Sequence, residues 1–130
     1  MAHPPFIDEA MIRPLVLAFY RRVRSDPLLA PVFDAHVSDW EDHHARLTDF
    51  WSSIMLTSGR YKGSPLALHL LHADAMTPDR FARWLELWRE TAEEMLPPPG
   101  AAAVQAKAGR IAESFQLAMR YRRSPTTAAT

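Results

Sequence analysis

Apolar residues in this chain recur at helical spacing, and no stretch sustains the strict alternation of a strand. Leu15, Val16, Phe19, Tyr20 and Val23 share one side, with Arg21, Arg22 and Arg24 opposite, so a helix with one buried face is expected there. Asp8 predicts a short helix just before it, and Pro14 suits the first turn of the longer one. Asp26-Pro27 reads as a cap followed by a first-turn proline. Pro31 then limits the inward-packing connector Leu28, Leu29, Val32 and Phe33 to about one turn. Ser38 and Glu41 have the spacing of a capping box. They predict a helix from about Asp39 to Ser58, stopped by Gly59, with Trp40, Leu47, Phe50, Trp51 and Ile54 as its apolar stripe. Thr77-Pro78 opens another helix, with Phe81, Trp84, Leu85 and Trp88 inward, running to about Leu96 before three prolines and Gly100. A last helix is expected from about Ala101 to Arg122. The pattern is all-α, with about four substantial helices.

Length and composition narrow this further. The chain has 130 residues, which fits one domain over 1–123 with a polar, disordered tail at 124–130. Lys+Arg and Asp+Glu are both 15, so no basic field points to nucleic acid or an anionic membrane. The chain has no cysteine, which excludes disulfides, thiolate zinc sites and iron–sulfur clusters. The N-terminus lacks the pattern of a signal peptide, and no run of about 20 apolar residues exists. A cytoplasmic protein without a membrane span is expected.

Candidate chemistry centres on the short apolar run from Pro65 to His72. His69 inside it has two fates: an ordinary core histidine bonded to a carbonyl, or a metal ligand. Tyr20, Trp84 and one of His43 and His44 also point inward, and each needs a polar partner if buried. At 100° per residue His43 lies about 40° and His44 about 60° from Leu47, so helical geometry barely separates them. The many aromatic residues suit either a plain core or a large, flat, apolar cofactor. Two other readings compete: a helical interaction domain whose histidines are satisfied internally, and a small metal site using His69 and His72, which share a helix face.

Several motifs, in this order, carry a resemblance. They are Phe19-Tyr20-x-x-Val23-Arg24 with Asp26-Pro27, Pro31-Val32-Phe33, and Trp40-x-x-His43-x-x-x-Leu47 with Phe50-Trp51. Then come Tyr61-x-Gly63-x-Pro65-Leu66-x-x-His69, Trp84-Leu85, and Arg110-Ile111-Ala112-x-Ser114-Phe115. Over roughly residues 10 to 120 the sequence resembles the group III truncated haemoglobins. None of the four glycines are adjacent, unlike the paired loop glycines of groups I and II.

That resemblance implies a two-over-two helical sandwich around haem b (iron protoporphyrin IX). It implies His69 as the proximal iron ligand, Phe33 packing on the haem face, and Tyr20, His43 and Trp84 facing a bound gas. It also favours His43 over His44, whose place is then on the solvent side. His43 has three open roles: bonding the gas, gating its admission, or binding iron itself. Arg46, one turn beyond His43, faces either a haem propionate or solvent, and Tyr61 carries the same two readings. Leu47, Phe50, Leu66, Phe81 and Trp88 complete the expected cofactor-binding wall. His3, His36 and His72 read as surface or loop residues. The implied function is reversible binding of O₂, NO and CO. Redox chemistry with NO or peroxide would need a separate reductase, since the chain has no flavin or nicotinamide motif.

Overall fold

The computed structural model describes residues 7–61 and 77–123, with the backbone alone at 119 and 121–123. The expectations for His3, Leu66, His69, His72 and the tail 124–130 lie outside these residues. Five helices run through the described residues: α1 (Glu9–Ser25), α2 (Ala30–His36), α3 (Trp40–Leu56), α4 (Pro78–Met95) and α5 (Pro98–Arg123). None is long and apolar enough to cross a membrane.

The expected break at Pro14 does not occur. Helix α1 is continuous from its cap, Asp8, whose carboxylate accepts the Met11 N–H, and Pro14 sits in its second turn. A mid-helix proline costs about 3 kcal/mol. Here Ile12, Leu15, Val16, Phe19 and Val23 form one buried face that runs past it, and packing along that face holds the helix together.

Helix α3 is capped by Asp39, which accepts the Asp42 N–H at 3.1 Å, so the capping box at Ser38 is not the device used. The helix ends at Leu56, before the expected glycine stop. Thr57 takes the left-handed conformation instead (φ 54°), and Gly59 is also left-handed at φ 73°. A polar latch fixes this exit. The buried Ser52 hydroxyl lies 2.8 Å from both Glu9 Oε1 and the Ser58 hydroxyl, and Arg60 pairs with Glu9 at 2.9 Å. The Tyr61 N–H then donates to Ser53 Oγ at 2.9 Å. The chain therefore leaves α3 toward 62–76 from a fixed point. Helix α5 begins three residues before expectation because Pro98 and Pro99 fall in its first turn, where a missing N–H costs nothing.

Helix α1 packs on α2, α3 and α4, and α4 packs on α5. At the middle, Phe19 of α1 stacks on Trp88 of α4 at 3.9 Å and 10°, and Trp51 of α3 lies 4.7 Å from Trp88. All three are at most 1% exposed. A smaller cluster joins Phe81 of α4 to Ala112 and Phe115 of α5.

Candidate functional site

Tyr20 follows Phe19 on α1, so it shares the buried side while pointing toward α2 and α3. It is 4% exposed. Its ring meets Phe33 edge-on at 5.9 Å and His43 at 5.0 Å, and lies 5.9 Å from Trp40. Burial pushes the phenol far above its ordinary value of 10.0, because removal from water disfavours the phenolate. The hydroxyl is therefore a permanent donor.

His43 and His44 lie one turn into α3. Both rings are half-buried against Tyr20 and Trp40: His43 is 5.0 and 5.5 Å away, His44 5.8 and 5.6 Å. The solvent-side placement of His44 is thus corrected. Its Nε2 is buried with no hydrogen-bond partner among the described residues. Burial, then the charges of Arg24 and Arg13, hold its pKa below the ordinary 6.5, so the ring stays neutral. The cause is the first turn of α3, where Trp40 packs on Tyr20 under the Arg24 guanidinium, 4.4 Å from the indole centroid. That packing carries the following turn, and both histidines, inward.

Helix α4 supplies the tryptophans. Trp84 is half-buried, with its ring edge-on to Phe19 at 5.9 Å and to Trp88 at 6.3 Å. Its indole N–H makes no hydrogen bond among the described residues. It reaches Tyr20 through Phe19, which meets Tyr20 at 4.9 Å. Trp88 lies deeper, fully enclosed in the main core, and its Nε1 is also unbonded among the described residues. Phe81 is enclosed in the smaller cluster.

The other expected wall residues are more open. Phe33, Leu47 and Phe50 are partly buried and rest against the main core, and Phe50 meets Tyr61 edge-on at 5.4 Å. The Arg46 side chain is 59% exposed and pairs with Asp42 at 2.7 Å. His36 is exposed, its Nδ1 2.7 Å from the Val32 carbonyl. The structure thus gathers Tyr20, His43, Phe33 and, through Phe19, Trp84. It sets Arg46 at the surface and Trp88 and Phe81 inside the core. Sequence reasoning missed His44 and Trp40 as members of this cluster. The available signal was Trp40 itself, whose place in the apolar stripe turns the next helical turn inward with it.

Helices α1 and α3 layered with α4 and α5, around a buried tyrosine with histidine and tryptophan at hand, define a truncated two-over-two globin. No family model matches the chain. It is 30% identical over 114 residues to the group 3 truncated hemoglobin ctb of Campylobacter jejuni, spanning 85% of this chain and 89% of that protein. The crystal structure of a group III truncated hemoglobin from Campylobacter jejuni superposes with a TM-score of 0.78 at 30% identity, covering 90% of this chain and 94% of that one. The chain belongs to the group III truncated haemoglobins.

Proposed function

We propose that the protein holds haem b through His69 and binds O₂, NO and CO reversibly, with Tyr20 and Trp84 as hydrogen-bond donors to the bound gas. Membership of its family makes it a haem-based, gas-binding globin; the residue roles are our reading. One observation carries it: a phenol buried to 4% exposure and kept protonated, its ring set against His43, Phe33 and Trp40. A hydrogen bond to a charged or polarised acceptor contributes about 1.5–3 kcal/mol, so a bound gas that accepts from this hydroxyl is held more tightly. The residues present also fit a large flat group, since Phe33, Leu47, Phe50, Ile54, Trp84 and Ile111 remain only partly buried beside the core.

Ferrous haem, when bound, supplies the iron at which a diatomic gas is held. Neutral His69 would be the iron ligand, and a hydrogen bond from its other ring nitrogen would fix its tautomer. Phe33 would pack on the haem face, with Leu47, Phe50, Leu66, Phe81 and Trp88 shaping the wall. Trp88 and Phe81 do so from within the core, by holding Phe19 and Trp84 in place. Arg46 can reach a propionate by exchanging its exposed pairing with Asp42, at little cost because such surface pairs are weak. Tyr61, fastened through its N–H to Ser53, is the second rim candidate. His43, in contact with Tyr20, would bond the gas, gate its admission or bind iron itself. Turnover of NO or peroxide would take electrons from a separate reductase.

The test is O₂ dissociation by stopped flow from the purified haem protein. Tyr20→Phe should accelerate it about tenfold or more, the loss of one hydrogen bond to a polarised acceptor. His69→Ala should lose or strongly weaken the Soret absorption. An unchanged rate in Tyr20→Phe removes the donor, and a full Soret band in His69→Ala removes the proximal assignment.

A further inference from the structure

We infer that Asp26 and Arg83 are positioning residues for the gas-binding face: their ion pair sets where α4 presents Trp84. The inference rests on the reading of Trp84 as a donor. Asp26 closes α1, and its side chain is 3% exposed. Oδ2 accepts the N–H groups of Leu28 and Leu29 at 3.1 and 3.0 Å, and Oδ1 accepts Arg83 Nε at 2.7 Å. Its backbone carbonyl accepts the Ala30 N–H at 2.8 Å, so the same residue starts α2, the helix of Phe33. One nearly dry carboxylate thus fastens both α2 and α4 to the end of α1.

Trp84 follows Arg83 directly, and its ring rests on Phe19, seven residues and about two turns before Asp26 on α1. Trp84 is therefore held twice by one helix: at its backbone through Arg83, and at its ring through Phe19. Arg83 also pairs with Glu86, one turn on, which fixes the guanidinium along α4. Arg80 adds a long contact from Nε to the Leu28 carbonyl at 3.4 Å. Burial alone would push the Asp26 carboxyl up. The bonds and charge of Arg83 and the two N–H groups outweigh this and hold it below its ordinary value, so the pair is ionised. A charge-assisted bond to a nearly buried carboxylate is short and directional, which suits it to fixing a backbone position. Drift at Arg83 would move the neighbouring Trp84 with it, and a donor weakens steeply with misalignment.

A mere structural tie is distinguishable, because α1 and α4 have a second one. Arg22 donates to Thr91 Oγ1 at 2.8 Å and pairs with Glu94, two turns further along α4 from Trp84. The experiment measures O₂ dissociation and the infrared stretch of added carbon monoxide on the haem-loaded protein. The variants are Asp26→Asn, Arg83→Gln, Arg22→Gln, Trp84→Phe and the double variant Asp26→Asn/Trp84→Phe, with melting temperatures alongside. Arg83→Gln guards against poor folding of Asp26→Asn, because it leaves the Asp26 carboxylate its bonds from the Leu28 and Leu29 N–H groups. Expected is about threefold to tenfold faster dissociation in Asp26→Asn and Arg83→Gln, as one misaligned bond costs, with the carbon monoxide stretch moved upward. Arg22→Gln should lower the melting temperature and leave both readouts unmoved. Asp26→Asn should add nothing once Trp84 is phenylalanine. The inference is overturned if the pair variants match wild type while Trp84→Phe dissociates faster, or if Arg22→Gln acts equally. It is also overturned if Asp26→Asn keeps its full effect without the indole. An unchanged rate in Trp84→Phe itself instead removes the donor reading, and the inference with it.

Discussion

Tyr20 and His44 show how one cluster keeps two titratable groups neutral by the same means. Burial disfavours charge on each, so it raises the phenol and lowers the imidazole. For His44 the consequence is a pH dependence of stability. In the unfolded chain the imidazole takes its proton near 6.5; in the fold it does so only at lower pH. The unfolded state therefore binds more protons between the two values. The stability tied to neutral His44 is complete above 6.5 and is lost as pH falls toward and through the folded value. His44→Asn should flatten the fall of melting temperature on acidification below 6.5. Wild-type and variant curves that stay parallel there would show that the ring is not held neutral. The two histidines also mark where sequence legibility stops at this scale. Steps of 100° place both near the edge of the stripe, and which edge is buried depends on the neighbouring helix.

At the scale of elements, the C-terminus of α3 holds a residue poorly suited to its backbone. Thr57 is left-handed, at φ 54° and ψ 36°, and a β-branched residue there is strained. Thr57→Gly should stabilise the protein by about 1 kcal/mol and raise the melting temperature by about 4 °C. The Soret band should be unchanged, because the exit of α3 is also held by Glu9, Ser52 and Arg60. A lower melting temperature would mean that the Thr57 hydroxyl, which bonds the Leu56 carbonyl, outweighs the strain. Prolines tell a matching story. Pro78 and Pro98 start helices where a missing N–H is harmless, while Pro14 is tolerated inside α1 because the buried face continues past it.

For the whole molecule, the main core and the candidate site share residues. Phe33, Leu47, Phe50 and Trp84 rest on the core yet remain partly open, so a bound haem would finish their burial. A ligand at a thousand times its Kd adds about 4 kcal/mol of stability. Stripping haem should therefore lower the melting temperature by roughly 15 °C, and added haemin should restore it. Calorimetry checks this, and equal melting of the stripped and reloaded forms would contradict it.

The all-α class, the main buried faces and the end of α4 are determined by local rules: apolar spacing near 3.6, caps before prolines, and prolines that cannot continue a helix. Tyr20, Phe33 and Trp84 are legible as inward candidates for the same reason, and the ordered motifs add the family. What only the tertiary structure decides is pairing across the chain. Trp84 and Trp88 are four residues apart and lie within about 40° of each other on a helical wheel. Yet Trp88 stacks flat on Phe19 in the core, and Trp84 meets the same ring by its edge and stays half-buried. Asp26 and Arg83 are 57 positions apart, and nothing local to either announces the other. Dense packing admits one partner per surface, and that choice belongs to the folded chain.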